Sequence, residues 1–192
     1  MRLTPEAVRA ERDRVRDRAP AVARLVNETR EHLGELFATG VDPVDAGTVA
    51  REVDAVFADG DRAVNVAAYV ALLRELDVSG DYPGFVVDER LGRLLAATIA
   101  GGDPLGLLAE ATFHLVDVRT HDDGGTAGSD DLDAALAAGF QTRLPGWSWR
   151  ESASPFAVEP IDGGRGGRGG RGGDQGNGEG EEGDASERPR ER

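Results

Sequence analysis

DRAVNVAAYVALLREL, Asp61 to Leu76, holds one strongly polar side chain, Asn65, between Ala63 and Leu73. The run is too long and too Ala-rich for an ordinary strand, and too short to span a membrane. Asp61 supplies an N-cap side chain, and Arg74-Glu75 returns the chain to solvent. A helix apolar on nearly every side has to be surrounded by others. The segment therefore predicts an all-α bundle with residues 61–76 as its central helix.

Helical signals continue on both sides. Thr4-Pro5-Glu6 combines an N-cap threonine, proline in the first turn and an early acid. Val8, Val15 and Val22 recur every seven residues, and Pro20 is expected to kink or split the helix between them. The stripe widens through Leu25, Val26, Leu33, Leu36 and Phe37, with Gly40 expected as the C′ residue. Asp42-Pro43 is expected to open the next helix, with Val49, Val53, Val56 and Phe57 inward. Ser79 to Gly84 reads as a turn-rich link, with Phe85-Val86-Val87 briefly extended.

Asp88 is the expected cap of a helix burying Leu91, Leu94, Leu95 and Ile99, closed by Gly101-Gly102. Asp103-Pro104 repeats the cap-then-proline start. Leu107, Leu108, Ala111, Leu115 and Val118 then give the expected core face of the following helix. A short last helix is predicted from Asp131 to Ala138, stopped by Gly139. The fold expected is thus a single-domain bundle of six or seven helices over residues 1–150, an irregular connector over 151–161, and a disordered Gly/Arg-rich tail over 162–192.

Composition narrows the chemistry. The 192 residues carry 36 acidic and 22 basic side chains, all of the latter Arg, for a formal charge of −14. Without Cys there are no thiol nucleophiles, disulfides, thiolate zinc sites or Cys-bound iron–sulfur clusters. Without Lys there is no Schiff-base chemistry and no P-loop phosphate lysine. GxSxG and HExxH do not occur. An acidic, Lys-free, Ala/Val/Gly-rich chain resembles the cytoplasmic proteins of salt-accumulating haloarchaea, whose surface carboxylates maintain solubility. Residues 1–19 alternate charge without an apolar run, so no signal peptide is expected and a cytoplasmic location is.

Three groups of residues invite a chemical reading. Gly163 to Gly173, with Arg165, Arg168 and Arg171 each set between glycine pairs, resembles the RGG boxes of RNA-binding proteins. Guanidinium planes stack on bases and fork to phosphates, while glycine lets the backbone follow a single strand. An inert, solubilising low-complexity tail is the alternative. Trp147 and Trp149, beside Arg143 and Arg150, offer a stacking platform, set against a packing role in which at least one ring closes the end of the bundle. His114, Asp117 and His121 share a helical face if the helix runs that far. They are the residues from which a divalent-metal or acid/base site would be built, although their spacing matches no zinc signature. Asp45 to Val53 superficially resembles the first helix of a helix-turn-helix, but helical pattern runs past the place where the turn belongs.

The function these observations predict is a non-enzymatic helical adaptor with no cofactor. Its body is expected to bind another protein, and RNA or single-stranded DNA is expected to be contacted by Arg165, Arg168 and Arg171 of the tail together with Trp147, Trp149 and Arg150. Two other readings stand beside it. One is a structural or oligomeric helical protein with an inert tail. The other is a small metal-dependent enzyme using His114, Asp117 and His121.

Overall fold

The computed structural model describes residues 2–76, 86–120 and 129–147, all within one compact unit spanning residues 1–155. Among them are seven α-helices and no strand: α1 Pro5–Asp17, α2 Ala19–Phe37, α3 Ala46–Ala58, α4 Gly60–Glu75, α5 Val87–Ala100, α6 Leu105–Thr120 and α7 Ser129–Gln141. None of the described helices is long and apolar enough to cross a membrane. The connector and tail expected from residue 151 onward lie outside the described residues.

Local chemistry sets most boundaries. The Thr4 hydroxyl accepts from the Ala7 amide at 3.2 Å, and Pro5 opens α1 where a missing N–H costs nothing. Pro20 does split the first helical stretch, leaving Arg18 between α1 and α2. Elsewhere the capping residue differs from the expected one. Asp45, not Asp42, caps α3 by accepting from the Thr48 amide at 2.6 Å. Asp59, not Asp61, caps α4 by accepting from the Arg62 amide at 3.3 Å. Ala38, not Gly40, closes α2 in the left-handed region at φ 50°. The reversal is tight because Thr39 N–H donates to the Gly34 carbonyl at 2.9 Å. A Cβ on Gly34 would come within 2.6 Å of the Thr39 carbonyl oxygen.

The larger correction concerns the centre of the bundle. The helix surrounded on all sides is α7, not α4. From Asp131 to Gln141 every residue of α7 is buried except Asp133, which is half-buried. It packs against α5, α6 and α2, with further contacts to α4 and α3. By contrast, α4 buries Ala63, Val66, Ala67, Val70, Ala71 and Leu73 and leaves Val64, Asn65 and Leu72 outside. The reason is size. Ala134, Ala135, Ala137, Ala138 and Gly139 let neighbouring helices approach closely, so the thinnest rod is the one the others crowd around. Gly139 does not stop it. A Cβ there would lie 2.8 Å from Ile99 Cβ and 2.9 Å from the Ala96 carbonyl oxygen, so the glycine marks the α5–α7 crossing and the helix runs on to Gln141.

Val15, Val22, Leu25, Val26, Val49, Val53, Val56, Leu95 and Ile99 join this core as their spacing predicts. Each such buried aliphatic contributes roughly 1.5–3 kcal/mol. Leu36, Phe37 and Leu94, expected inside, are exposed.

Candidate interaction surface

Helix α6 is oriented opposite to expectation. Its core face is Gly106, Ala109, Thr112, Phe113 and Val116, all buried. The aliphatic row expected there points outward. Leu107 is 60% exposed, Val118 62% and Leu108 40%, Ala111 and His114 are exposed, and Leu115 is half-buried.

Shape explains the choice of face. Phe113 fills the notch left by Gly92 on α5, where a Cβ would meet the ring at 2.6 Å. Gly106 lets the start of α6 lie against Ala97. The Thr112 hydroxyl donates to the Leu108 carbonyl at 2.8 Å and accepts from Gln141 Nε2 at 3.3 Å, which ties α6 to α7. The small-residue face approaches its neighbours closely, and the Leu/Val face is left over. The signal that would have revealed this is the spacing of Gly106, Ala109, Phe113 and Val116 at intervals of three, four and three.

Of the candidate metal or acid/base residues, His114 is exposed on the outer face of α6 and Asp117 is half-buried one turn on. His121 lies outside the described residues. Among the described residues no three His, Cys, Asp or Glu side chains come together at metal-binding distance.

Trp147 takes the packing role. It is 8% exposed, its Nε1 donates to the Gln141 carbonyl at 3.2 Å, and the Arg30 guanidinium lies 5.7 Å from its ring centre. Arg30 is itself 2% exposed and donates to the Asp42 carbonyl at 2.6 Å. The ring therefore seals the junction of α2 with the chain leaving α7 instead of standing free as a stacking platform. Trp149, Arg150, Arg165, Arg168 and Arg171 all lie outside the described residues.

A cleft of about 340 Å³ opens between α1, α4 and α7, lined by Arg14, Val15, Asp17, Arg18, Val70, Arg74 and Leu132. Its cations are internally balanced. Glu11, 5% exposed, accepts from Arg14 at 2.8 Å and from Arg74 at 3.1 Å, while Arg18 pairs with Asp133. Arg16 likewise pairs with Asp54, and Arg143 with Glu52 at 2.5 Å. These bridges tie α1 to α3 and α4, the α1–α2 junction to α7, and the segment after α7 to α3. Two carboxyls are held below their ordinary values: Asp45, through the Thr48 amide and hydroxyl, and Glu6, through its own backbone amide and the Thr4 hydroxyl. Both serve helix N-termini, which makes them structural features of the caps.

A family model described as a domain of unknown function (DUF7984) matches residues 1–160. No curated protein and no solved structure matches the chain.

Proposed function

We propose that this chain, which belongs to the DUF7984 family through residues 1–160, is a non-enzymatic interaction module whose body docks a partner helix on the outer face of α6. The observation that carries the reading is the row Leu107, Leu108, Ala111, Leu115 and Val118 on the solvent side of a helix whose opposite side already holds the core. A helix apolar all round belongs in a surrounded position. Here only half of it is surrounded by this chain. A contiguous apolar patch on a folded body marks a place where another molecule sits. Covering the exposed parts of Leu107, Leu108 and Val118 is worth roughly 1 kcal/mol or more apiece, which is set against the entropy of association.

The test is capture from a native high-salt lysate with the full chain and with the doubly substituted Leu107→Asp, Val118→Asp form. Loss of the captured protein, with an unchanged far-UV spectrum and melting temperature, supports docking on α6. Equal capture by both forms places the interaction elsewhere.

A second reading rests on the sequence motif at Arg165, Arg168 and Arg171, with Trp149 and Arg150: contact with RNA or single-stranded DNA. Three phosphate contacts on a single strand give a salt slope of only about −2. In concentrated salt the affinity must come from stacking and forked hydrogen bonds, which arginine supplies. Deleting residues 162–192 should weaken single-strand binding measured in molar KCl. Absence of binding by the full chain under the same conditions removes this reading.

A further inference from the structure

We propose that the helix docked on α6 is α6 of a second copy of this chain, running antiparallel; this rests on the reading of α6 as the docking face.

The exposed seam is Leu107, Ala111, His114 and Val118. Its spacing is four, three, four, which is both the spacing of a coiled-coil seam and a palindrome. A palindromic row lies on its own reverse with every position matched. Leu107 of one copy meets Val118 of the other, and Ala111 meets His114. Each layer then sets a larger side chain against a smaller one, which fills the space between two helices without a void. A parallel pairing does the opposite. It stacks Ala111 on Ala111, leaving a gap, and His114 on His114, setting two imidazoles face to face.

The apolar flank agrees with the same register, while the acidic flank sets Glu110 of one copy within two residues of the level of Asp117 of the other, a repulsion that salt screens. On one side, Leu108 of each copy comes within two residues, about 3 Å, of the level of Leu115 of the other, extending the apolar strip. On the other, His114 of each copy comes within one residue of the level of Glu110 of its counterpart, an imidazole beside a carboxylate at the rim. One two-fold axis, near the midpoint between Ala111 and His114, generates all of these pairs, as an isologous interface requires. The seam covers three helical turns, about 16 Å. An interface of that size sits at the small end of the range, so the dimer is weak and concentration-dependent. Each copy also carries a formal charge of −14, so concentrated salt tightens the pair by screening the repulsion between copies.

The chain has no cysteine, so engineered thiols report unambiguously. Full-length Ala111→Cys and full-length His114→Cys, one of them mass-tagged, are mixed and mildly oxidised in molar KCl. The same is done with Leu107→Cys and Val118→Cys. Antiparallel pairing gives mixed disulfides in excess of either homodisulfide in both mixtures. Sedimentation should show self-association that strengthens with KCl and weakens more than tenfold in the Leu107→Asp, Val118→Asp form.

Predominant Ala111→Cys homodisulfide overturns the antiparallel register. A monomer at every concentration, with no cross-link, overturns self-pairing altogether. If that monomer still captures a different protein through Leu107 and Val118, docking on α6 survives and only the second copy is lost. If it captures nothing, both readings fail.

Discussion

Gly139 of α7 lies so close to Ile99 of α5 that a single added methyl group would sit 2.8 Å from Ile99 Cβ and 2.9 Å from the Ala96 carbonyl oxygen. The close α5–α7 crossing depends on that absence. Two effects of opposite sign meet at this position. Alanine is the better helix former by about 1 kcal/mol, but overpacking against a backbone oxygen that cannot rotate away costs about 1–3 kcal/mol. Gly139→Ala should therefore lower the urea midpoint. Gly60→Ala, where nothing lies within 4 Å, should leave it unchanged or raise it slightly. Equal behaviour of the two variants would contradict the packing described for α7.

The two faces of α6 should respond to substitution in opposite ways. Leu107→Glu, on a side chain 60% exposed, should alter stability by no more than about 0.5 kcal/mol. Ala109→Leu, at a position with 0% exposure, should cost about 1–3 kcal/mol because the added atoms have nowhere to go. Chemical denaturation of both distinguishes the observed orientation from the reverse one, in which Leu107 is the costly position.

Glu11 is the most consequential carboxylate of the arginine network. It is 5% exposed and neutralises Arg14 on its own helix and Arg74 on α4. Glu11→Gln leaves both guanidiniums without their counter-charge. Their side chains are 51% and 41% exposed, so water takes over part of the role and the loss should be about 1–2 kcal/mol, below that of a fully buried pair. A double-mutant cycle with Arg74→Met isolates the α1–α4 bridge, and a coupling indistinguishable from zero would show that it contributes nothing.

Acid should undo the helix caps. Asp45 and Glu6 both have carboxyls depressed in the folded chain, so each stabilises the fold above the ordinary unfolded value and loses that contribution as pH falls through its lower folded value. The urea midpoint should start to fall below about pH 4. Asp45→Ala should have a lower midpoint at pH 7 and a shallower acid fall, and the two curves should converge at the acid end. Parallel curves would show that the Asp45–Thr48 cap does not carry the dependence.

How much of this was legible beforehand follows from what each kind of signal measures. Helix number and type rest on local chemistry, and the capping at Thr4 and the split at Pro20 were readable because they involve only neighbours in the chain. Even so, Asp45 and Asp59 displaced Asp42 and Asp61 as caps. A boundary shifted by two or three residues leaves the apolar spacing intact, and the side chain that reaches an amide three residues ahead is decided in three dimensions. The face of α6 was misread for a related reason. Apolar residues occupy both of its sides, so hydrophobicity cannot rank them, and the contest was settled by Gly92 and Phe113 interlocking. That pair lies 21 residues apart and has meaning only once α5 and α6 are antiparallel.

The amino-acid sequence by itself determined that this protein is helical, acidic, free of lysine and cysteine, and closed to the chemistries those residues perform. It did so because propensity, capping and composition act locally or as sums over the chain. Only the tertiary structure decided that α7, not α4, is the enclosed helix, that Trp147 is packed on Arg30, and that the leucines of α6 face outward. Those outcomes depend on which surfaces approach most closely, a property of pairs of helices that no single segment carries.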